Sequence, residues 1–416
     1  MMESITTDSI RTSILSEEAS LAWEYFKQEG YPNSTHENWR FSNPEPFLLK
    51  NAPVISEKLD FSRDKFDFLM HTDATNVFIV NGKVLVPETL PEGMKLIHYH
   101  SDIQEIHTNE KVGGVADIHA SPFIAENTAL FQSCTVINVT EGRKIEQPLH
   151  LIQINLGTGE NRIFPRLLLN LQPGSQLHIR ETEHSGDSHS WYVNGVTECI
   201  IHENAHLTWN TLQKRNEKSG QFSSFNAALE KDAALSYSSI ELGCSFLRRD
   251  ANIHLHSPGS DCSFNSLFLP SGKQHIDIST VMHHESPHCS SRQLVKGILA
   301  DKSTGVFRGL ANVYKEAEKT DAHQTNQNLL ISPDARMNSI PQLEIYEDDV
   351  KCSHGSTTGQ IDEDSLFYLQ SRGISRKDGI QLMVKGFANE VVEKCNDESF
   401  SKIVSQSIES KLGGIL

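Results

Sequence analysis

Apolar and polar positions alternate in short runs through much of the chain, as in 149–156, 163–171 and 193–201. A period of two over five to ten residues predicts strands, and helical spacing is largely absent between about residues 125 and 358. Several of these runs follow a turn signal and a small residue. Pro173-Gly174-Ser175, Glu203-Asn204-Ala205, Lys231-Asp232-Ala233 and Pro258-Gly259-Ser260 each lead into a new alternation, and Arg249-Asp250-Ala251 reads as a further copy. Weak, unevenly spaced repetition of turn plus strand suits stacked coils, in which each strand pairs with its counterpart one turn above. A β-sandwich is the competing arrangement, but more than two hundred residues exceeds the usual size of that fold.

The two ends of the chain follow another period. Ala19, Leu21, Ala22, Tyr25 and Phe26 recur at helical spacing before Gly30, predicting a small N-terminal helical cap. Two β-rich runs in 77–86 are joined by Asn81-Gly82, the dipeptide suited to a type I′ hairpin. Beyond Gln360, Asp362 caps a helix expected to stop at Gly373, and Ser375 with Asp378 forms a second helix start. Ile380, Met383, Val384, Phe387, Ala388, Val391 and Val392 then trace an apolar stripe, and Phe400, Ile403, Val404, Ile408 and Leu412 trace another. The resulting division is an N-terminal helical region over 1–75, a coil-stacked core over 76–360 and a C-terminal helical domain over 361–416. The last is expected to stand as a separate unit with few contacts to the coils.

Composition narrows the function. The 416 residues carry a formal charge of −17 at pH 7 without a basic tail, a field that repels nucleic acid and anionic membranes. The acidic first thirty residues contain no secretory apolar stretch, and no run reaches the roughly twenty apolar residues that span a bilayer. Seven dispersed cysteines form no C-x-x-C pair, which argues against a zinc ribbon or a secreted disulfide framework. A cytoplasmic protein is expected. No P-loop, G-x-S-x-G elbow or H-E-x-x-H helix occurs, so the usual catalytic signatures and an ATP site of its own are missing.

Two clusters could bind metal. His283-His284-Glu285-Ser286-Pro287-His288-Cys289 gathers ligand types, but neighbours on a strand face opposite ways and Pro287 interrupts it, so a polar turn is the simpler reading. In Val350-Lys351-Cys352-Ser353-His354-Gly355 the alternation puts Cys352 and His354 on one face. A thiol and an imidazole suit iron and cluster sulfur, although such a pair more often packs than ligates.

Pro341-Gln342-Leu343-Glu344-Ile345, Asp348 to Gly355, Gly359-Gln360, Leu366-Phe367-Tyr368-Leu369 and Ser371-Arg372-Gly373-Ile374 together resemble the SufB/SufD family of iron–sulfur cluster scaffolds. Gly386-Phe387-Ala388, 303–309, 321–330, the Asn81-Gly82 hairpin and Glu37-Asn38-Trp39-Arg40-Phe41 extend the likeness over nearly the whole chain. Length and the Cys-Ser-His-Gly motif resemble the shorter of that family's two branches. That resemblance implies a mainly β protein, with a right-handed parallel β-helix between small helical domains. It implies a non-catalytic scaffold that pairs with a SufB-like subunit through the β-helices and binds a SufC-like ATPase through the C-terminal helices, with a homodimer when alone. A nascent iron–sulfur cluster would form transiently at the SufB interface, His354 as its metal ligand and Cys352 beside it. Two other readings differ in kind: a carbohydrate-active β-helix enzyme using paired carboxylates, and a SufB-like homodimer whose sulfur-accepting thiol would be Cys395.

Overall fold

A computed structural model describes residues 17–55, 61–85, 87, 89–100 and 112–416. The first sixteen residues, and Val86 at the end of the expected hairpin, lie outside the described residues. The core is a β-solenoid of two facing sheets. One sheet runs β2 (Lys83–Leu85), β1 (Thr75–Val80), β5 (Leu149–Asn155), β8 (Gln176–Ser185), β10 (His206–Lys214), β12 (Ala234–Glu241), β14 (Asp261–Phe268), β16 (Ser290–Leu299), β18 (Asp321–Leu330) and β20 (Lys351–Gln360). The other runs β19 (Arg336–Ile345), β17 (Thr304–Val313), β15 (His275–His284), β13 (Phe246–Leu255), β11 (Gly220–Leu229), β9 (Trp191–Ile201), β7 (Arg166–Leu171), β4 (Ser133–Val139) and β3 (Met94–His100), with β6 (Asn161–Ile163) beside β9. Pairing within the stack is parallel, and among the described residues only β2 and β3 pair antiparallel, with β1 and β4. Coils therefore replace the sandwich.

The turn signals explain how the coils repeat. Gly174, Asn204, Asp232 and Gly259 all have φ between 54° and 78°, the left-handed region that glycine, asparagine and aspartate tolerate best. The amide of each donates to the residue before the next such turn: Gly174 to Glu203, Asn204 to Lys231, Asp232 to Pro258. The turns thus form their own ladder beside the strands. Ser175, Ala205, Ala233 and Ser260, one residue on, are fully buried where the chain bends inward. Arg249-Asp250-Ala251 does not repeat this turn. It lies inside β13, because the apparent match came from its strand alternation alone. Asn81 and Gly82 both take positive φ in the hairpin between β1 and β2, as a type I′ turn requires.

Helices cover the outer faces. Helix α1 (Glu17–Glu29) packs on α2 (Pro122–Leu130). The second of these falls where the sequence predicts strands. Its Ser121 cap and Pro122 start are ordinary, but it is buried on every side, so it shows no polar face to give a helical stripe. On the opposite sheet, α3 (Glu363–Ser371) and α4 (Arg376–Lys394) follow the predicted caps Asp362 and Ser375, and α5 (Glu398–Ile415) starts from a further cap, Asp397. They are not detached from the coils. Val384, Ala388, Val391, Phe400, Val404 and Ile408 share one apolar cluster with Leu212, Ile240, Leu267 and Ile298 from the sheet's outer face. The stripes that suggested a self-contained bundle are used to seal the solenoid. Arg180 on β8 adds a clasp, bonding Asp397 at 2.6 and 2.9 Å and Asp73 at 2.7 and 3.0 Å. These bonds hold the Asp73 carboxyl well below its usual range.

Candidate functional site at the open coil

The solenoid lumen consists of columns of side chains, one from each coil. Register links Ile179, Trp209, Tyr237, Phe264, Gln293, Gln324 and finally His354. Beside it, Leu177, Leu207, Leu235, Cys262, Ser291 and Ala322 lead to Cys352. The expected shared face of Cys352 and His354 is therefore the lumen face of the last coil. The lower part of the first column is aromatic, with Tyr237 and Phe264 stacked at 5.3 Å between ring centres. The upper part changes to carboxamides and then to imidazole.

No strand lies beyond β19 and β20, so the lumen is open above them among the described residues. His354 is exposed and Cys352 half-buried. Burial pushes the Cys352 thiol up, which leaves it protonated near neutrality unless a metal or a partner changes its surroundings. Beneath His354, Gln324 is only 2% exposed, yet neither its amide nitrogen nor its carbonyl oxygen has a hydrogen-bond partner. Such a group in a lumen is expensive unless something supplies the missing bonds. Its position is set tightly: a Cβ on Gly309 would come within 2.4 Å of the Gln324 amide nitrogen. Alongside, the Ser339 hydroxyl donates to Asn326 Oδ1 at 2.7 Å and lies 2.7 Å from the Ser356 hydroxyl. The two sheets are thus stitched together below the opening.

The arrangement offers one imidazole, one thiol and an unpaired carboxamide at the mouth of a channel-like stack. An imidazole and a thiol suit iron or sulfide, while the carboxamide can donate to a sulfur or oxygen acceptor. The rim is bordered by long strand edges whose outward amides and carbonyls have no partner strand. A bare edge ten residues long is a template on which another chain can pair. Ile345 and Tyr346 at the end of this edge remain exposed.

Carboxylates deeper in the lumen are occupied structurally. Arg249 bonds Glu241 at 2.5 Å and Glu183 at 3.2 Å, while Glu181 accepts from Trp209 Nε1 at 3.1 Å and Thr211 at 2.8 Å. Burial pushes the carboxyls of Glu181 and Glu241 up. They do not face an open cleft as a sugar-cleaving pair must. Cys395, the alternative sulfur acceptor, is fully buried and its thiol is pushed up to about 12 by burial. No two of the seven cysteines form a disulfide.

The 283–289 segment separates as alternation requires, with one exception that sequence reasoning missed. His284 points inward and lies 2.9 Å from Ser291 Oγ, His288 takes a left-handed turn, and Cys289 is buried. His283 and Glu285, however, point outward together and meet His254 from the neighbouring coil. The signal was present as Asn252-Ile253-His254 and Val281-Met282-His283, but only the coil register makes these segments neighbours. Close by, a cavity of about 740 Å³ between the helical cap and the sheet is lined by Trp39, Arg248, Asp250, Asn252, His254 and His283 among others.

The family model described as "SUF system FeS cluster assembly, SufBD core domain" matches residues 154–387. The chain is 35% identical to the iron–sulfur cluster assembly protein SufD of Escherichia coli over 92% of its own length and 90% of that protein. It is 29% identical to the chloroplastic protein ABCI7 of Arabidopsis thaliana over 88% of its own length and 79% of the relative. An iron–sulfur cluster assembly SufBD family protein of Mycobacterium leprae shares 29% identity over 72% of this chain and 77% of its own.

Proposed function

The chain belongs to the SufBD family of SUF-system iron–sulfur cluster assembly proteins, and from that premise we propose that it is a non-catalytic scaffold subunit whose open coil receives a nascent cluster. The carrying observation is His354 above the buried, unpartnered carboxamide of Gln324, at an end of the solenoid left with two bare strand edges. A SufB-like subunit would continue both sheets across those edges, enclosing the opening and converting an exposed imidazole into a ligand in a low-dielectric interface. The cluster is cargo, held transiently. Cys352 supports the site from the adjacent column, and its thiol becomes a ligand only on losing its proton.

The C-terminal helices have a second role in this reading, as the dock for a SufC-like ATPase. While one face of α4 and α5 seals the sheet, Phe367 and Tyr368 on α3 and Leu382 on α4 stay exposed, at 72%, 58% and 52%. Aromatic and aliphatic anchors of that kind concentrate binding energy at interfaces. No helix among the described residues is long and apolar enough to cross a membrane. Together with the unpaired cysteines, this supports work in the reducing cytoplasm.

Co-expression with SufB-like and SufC-like subunits tests both roles. His354→Gln preserves size and hydrogen bonding but weakens metal ligation. It should leave the complex assembled while iron and acid-labile sulfide fall severalfold. Normal iron and sulfide in the assembled complex would reduce His354 to a packing role. A Phe367→Ser, Leu382→Ser double variant should lose the ATPase alone, and undiminished ATPase recovery would place that dock elsewhere.

A further inference from the structure

His254 on β13 and His283 on β15 are direct register partners, one coil apart on the outer face of the sheet that does not carry His354. Their rings stack with centroids 4.3 Å apart and planes 7° from parallel. Two residues beyond His283, Glu285 turns its carboxylate back to His254 Nδ1 at 2.7 Å and to His256 Nδ1 at 2.9 Å. One nitrogen from each of His254 and His283 and one Glu285 oxygen all lie within 4.8 Å of one another. Ligand atoms around a tetrahedral ion bound at about 2.1 Å stand roughly 3.4 Å apart, so an ion would open the 2.7 Å His254–Glu285 hydrogen bond, displacing its proton, while the group as a whole stays within its present span.

The surroundings also resemble a metal site's outer layer. Asn252 reaches both rings, its Oδ1 2.8 Å from His283 Nε2 and its Nδ2 3.2 Å from His254 Nε2, and Tyr314 Oη lies 3.0 Å from His283 Nδ1. Such contacts fix ring orientation and tautomer, the usual task of residues behind metal-bound histidines. His254 and His283 also line the 740 Å³ cavity, which leaves room for water or a small ligand to complete the coordination.

We propose that His254, His283 and Glu285 form a binding site for one divalent transition-metal ion of the zinc and ferrous class, separate from the open coil. Two imidazoles and one carboxylate match the borderline preference of these ions and disfavour magnesium or calcium, which take oxygen ligands. Three protein ligands leave a coordination position facing the cavity.

The test uses the purified full chain and cobalt(II) as a spectroscopic probe, with zinc(II) as competitor. One equivalent of cobalt should give visible ligand-field bands of nitrogen and oxygen coordination that zinc abolishes. His283→Gln and Glu285→Gln should each weaken binding at least about a hundredfold, and Asn252→Ala, behind the ligands, about tenfold. His354→Gln and Cys352→Ser should leave it unchanged. Bands that survive both ligand substitutions, or that vanish with His354→Gln, overturn the proposal. Metal-free melting curves identify any variant that is misfolded. Independently, an anomalous difference map from zinc-soaked crystals of the unaltered chain must place its peak between the three side chains, and a map without one there rejects the site.

Discussion

The two ends of the solenoid are built from the same coil but finished in opposite ways. At the first coils β2 and β3 turn back antiparallel against β1 and β4, and the lumen residues Val77, Ile79, Ile137 and Val139 are all buried. At the last coil the equivalent positions come from β19 and β20, and none of their residues is buried. A lumen column that is aromatic in the middle becomes polar as it nears this end. One end is thus closed by the chain's own strands, whereas the other has the composition and the bare edges of an unfinished interface. The proposed cargo site lies where the fold has been left incomplete, which is where burial contributes least to stability.

The contrast can be broken most strongly in the closed end. Ile137→Ala removes a fully buried side chain packed in the main apolar cluster, and should destabilise the isolated chain by about 2–5 kcal/mol. Leu343→Ala, on the lumen face of β19, should cost less than about 1 kcal/mol, because that side chain is only half-buried to begin with. Urea unfolding of both variants checks the pair. Equal losses would mean that the last coil is as well packed as the first.

Acid should act on the closed body next. Burial lowers His71, His184, His283 and His284 to about 4, and holds His150 well below its ordinary value. A histidine whose folded value is depressed favours the folded state in its neutral form. Its contribution is complete above the unfolded value near 6.5 and is lost as pH falls toward 4. Stability should therefore decline from about pH 6.5 downward, at up to about 1.4 kcal/mol per pH unit for each such group. Denaturant midpoints measured between pH 7.5 and 4.5 follow this directly. A flat profile would show that these histidines are solvated rather than confined.

How much of this was legible depends on whether the signal is local. The left-handed turns at Asn204 and Asp232, the hairpin at Asn81-Gly82 and the caps Asp362 and Ser375 are local, because each needs only its own neighbours, and each can be read from sequence. Helix α2 could not be read, since a helix buried all round has no polar face and resembles a core strand. The packing of α4 and α5 on the sheet was hidden for a related reason: a stripe shows that a face is buried, not against what. The Cys352 and His354 pair was legible from alternation. His254 beside His283, and Gln324 beneath His354, were not, because both depend on the register between coils. That register is set by turn lengths that vary from one coil to the next.

The smallest effect on stability carries the sharpest test of the open end. Gln324 is buried with no protein partner for either end of its carboxamide, so the isolated chain gains no intramolecular hydrogen bond from it and bears the desolvation of a polar group. Gln324→Met keeps length and flexibility against Gly309 while removing that polarity. In the chain alone, the substitution should be neutral or stabilising by up to about 1 kcal/mol. If the carboxamide instead serves the cargo, donating to cluster sulfide beside His354, the same change should lower iron and sulfide retention in the assembled complex without weakening assembly. A residue that harms its own fold slightly and helps only when a partner and cargo are present is what an incomplete interface predicts. Destabilisation of the isolated chain by Gln324→Met would show that the carboxamide has partners within the lumen and belongs to the closed body after all.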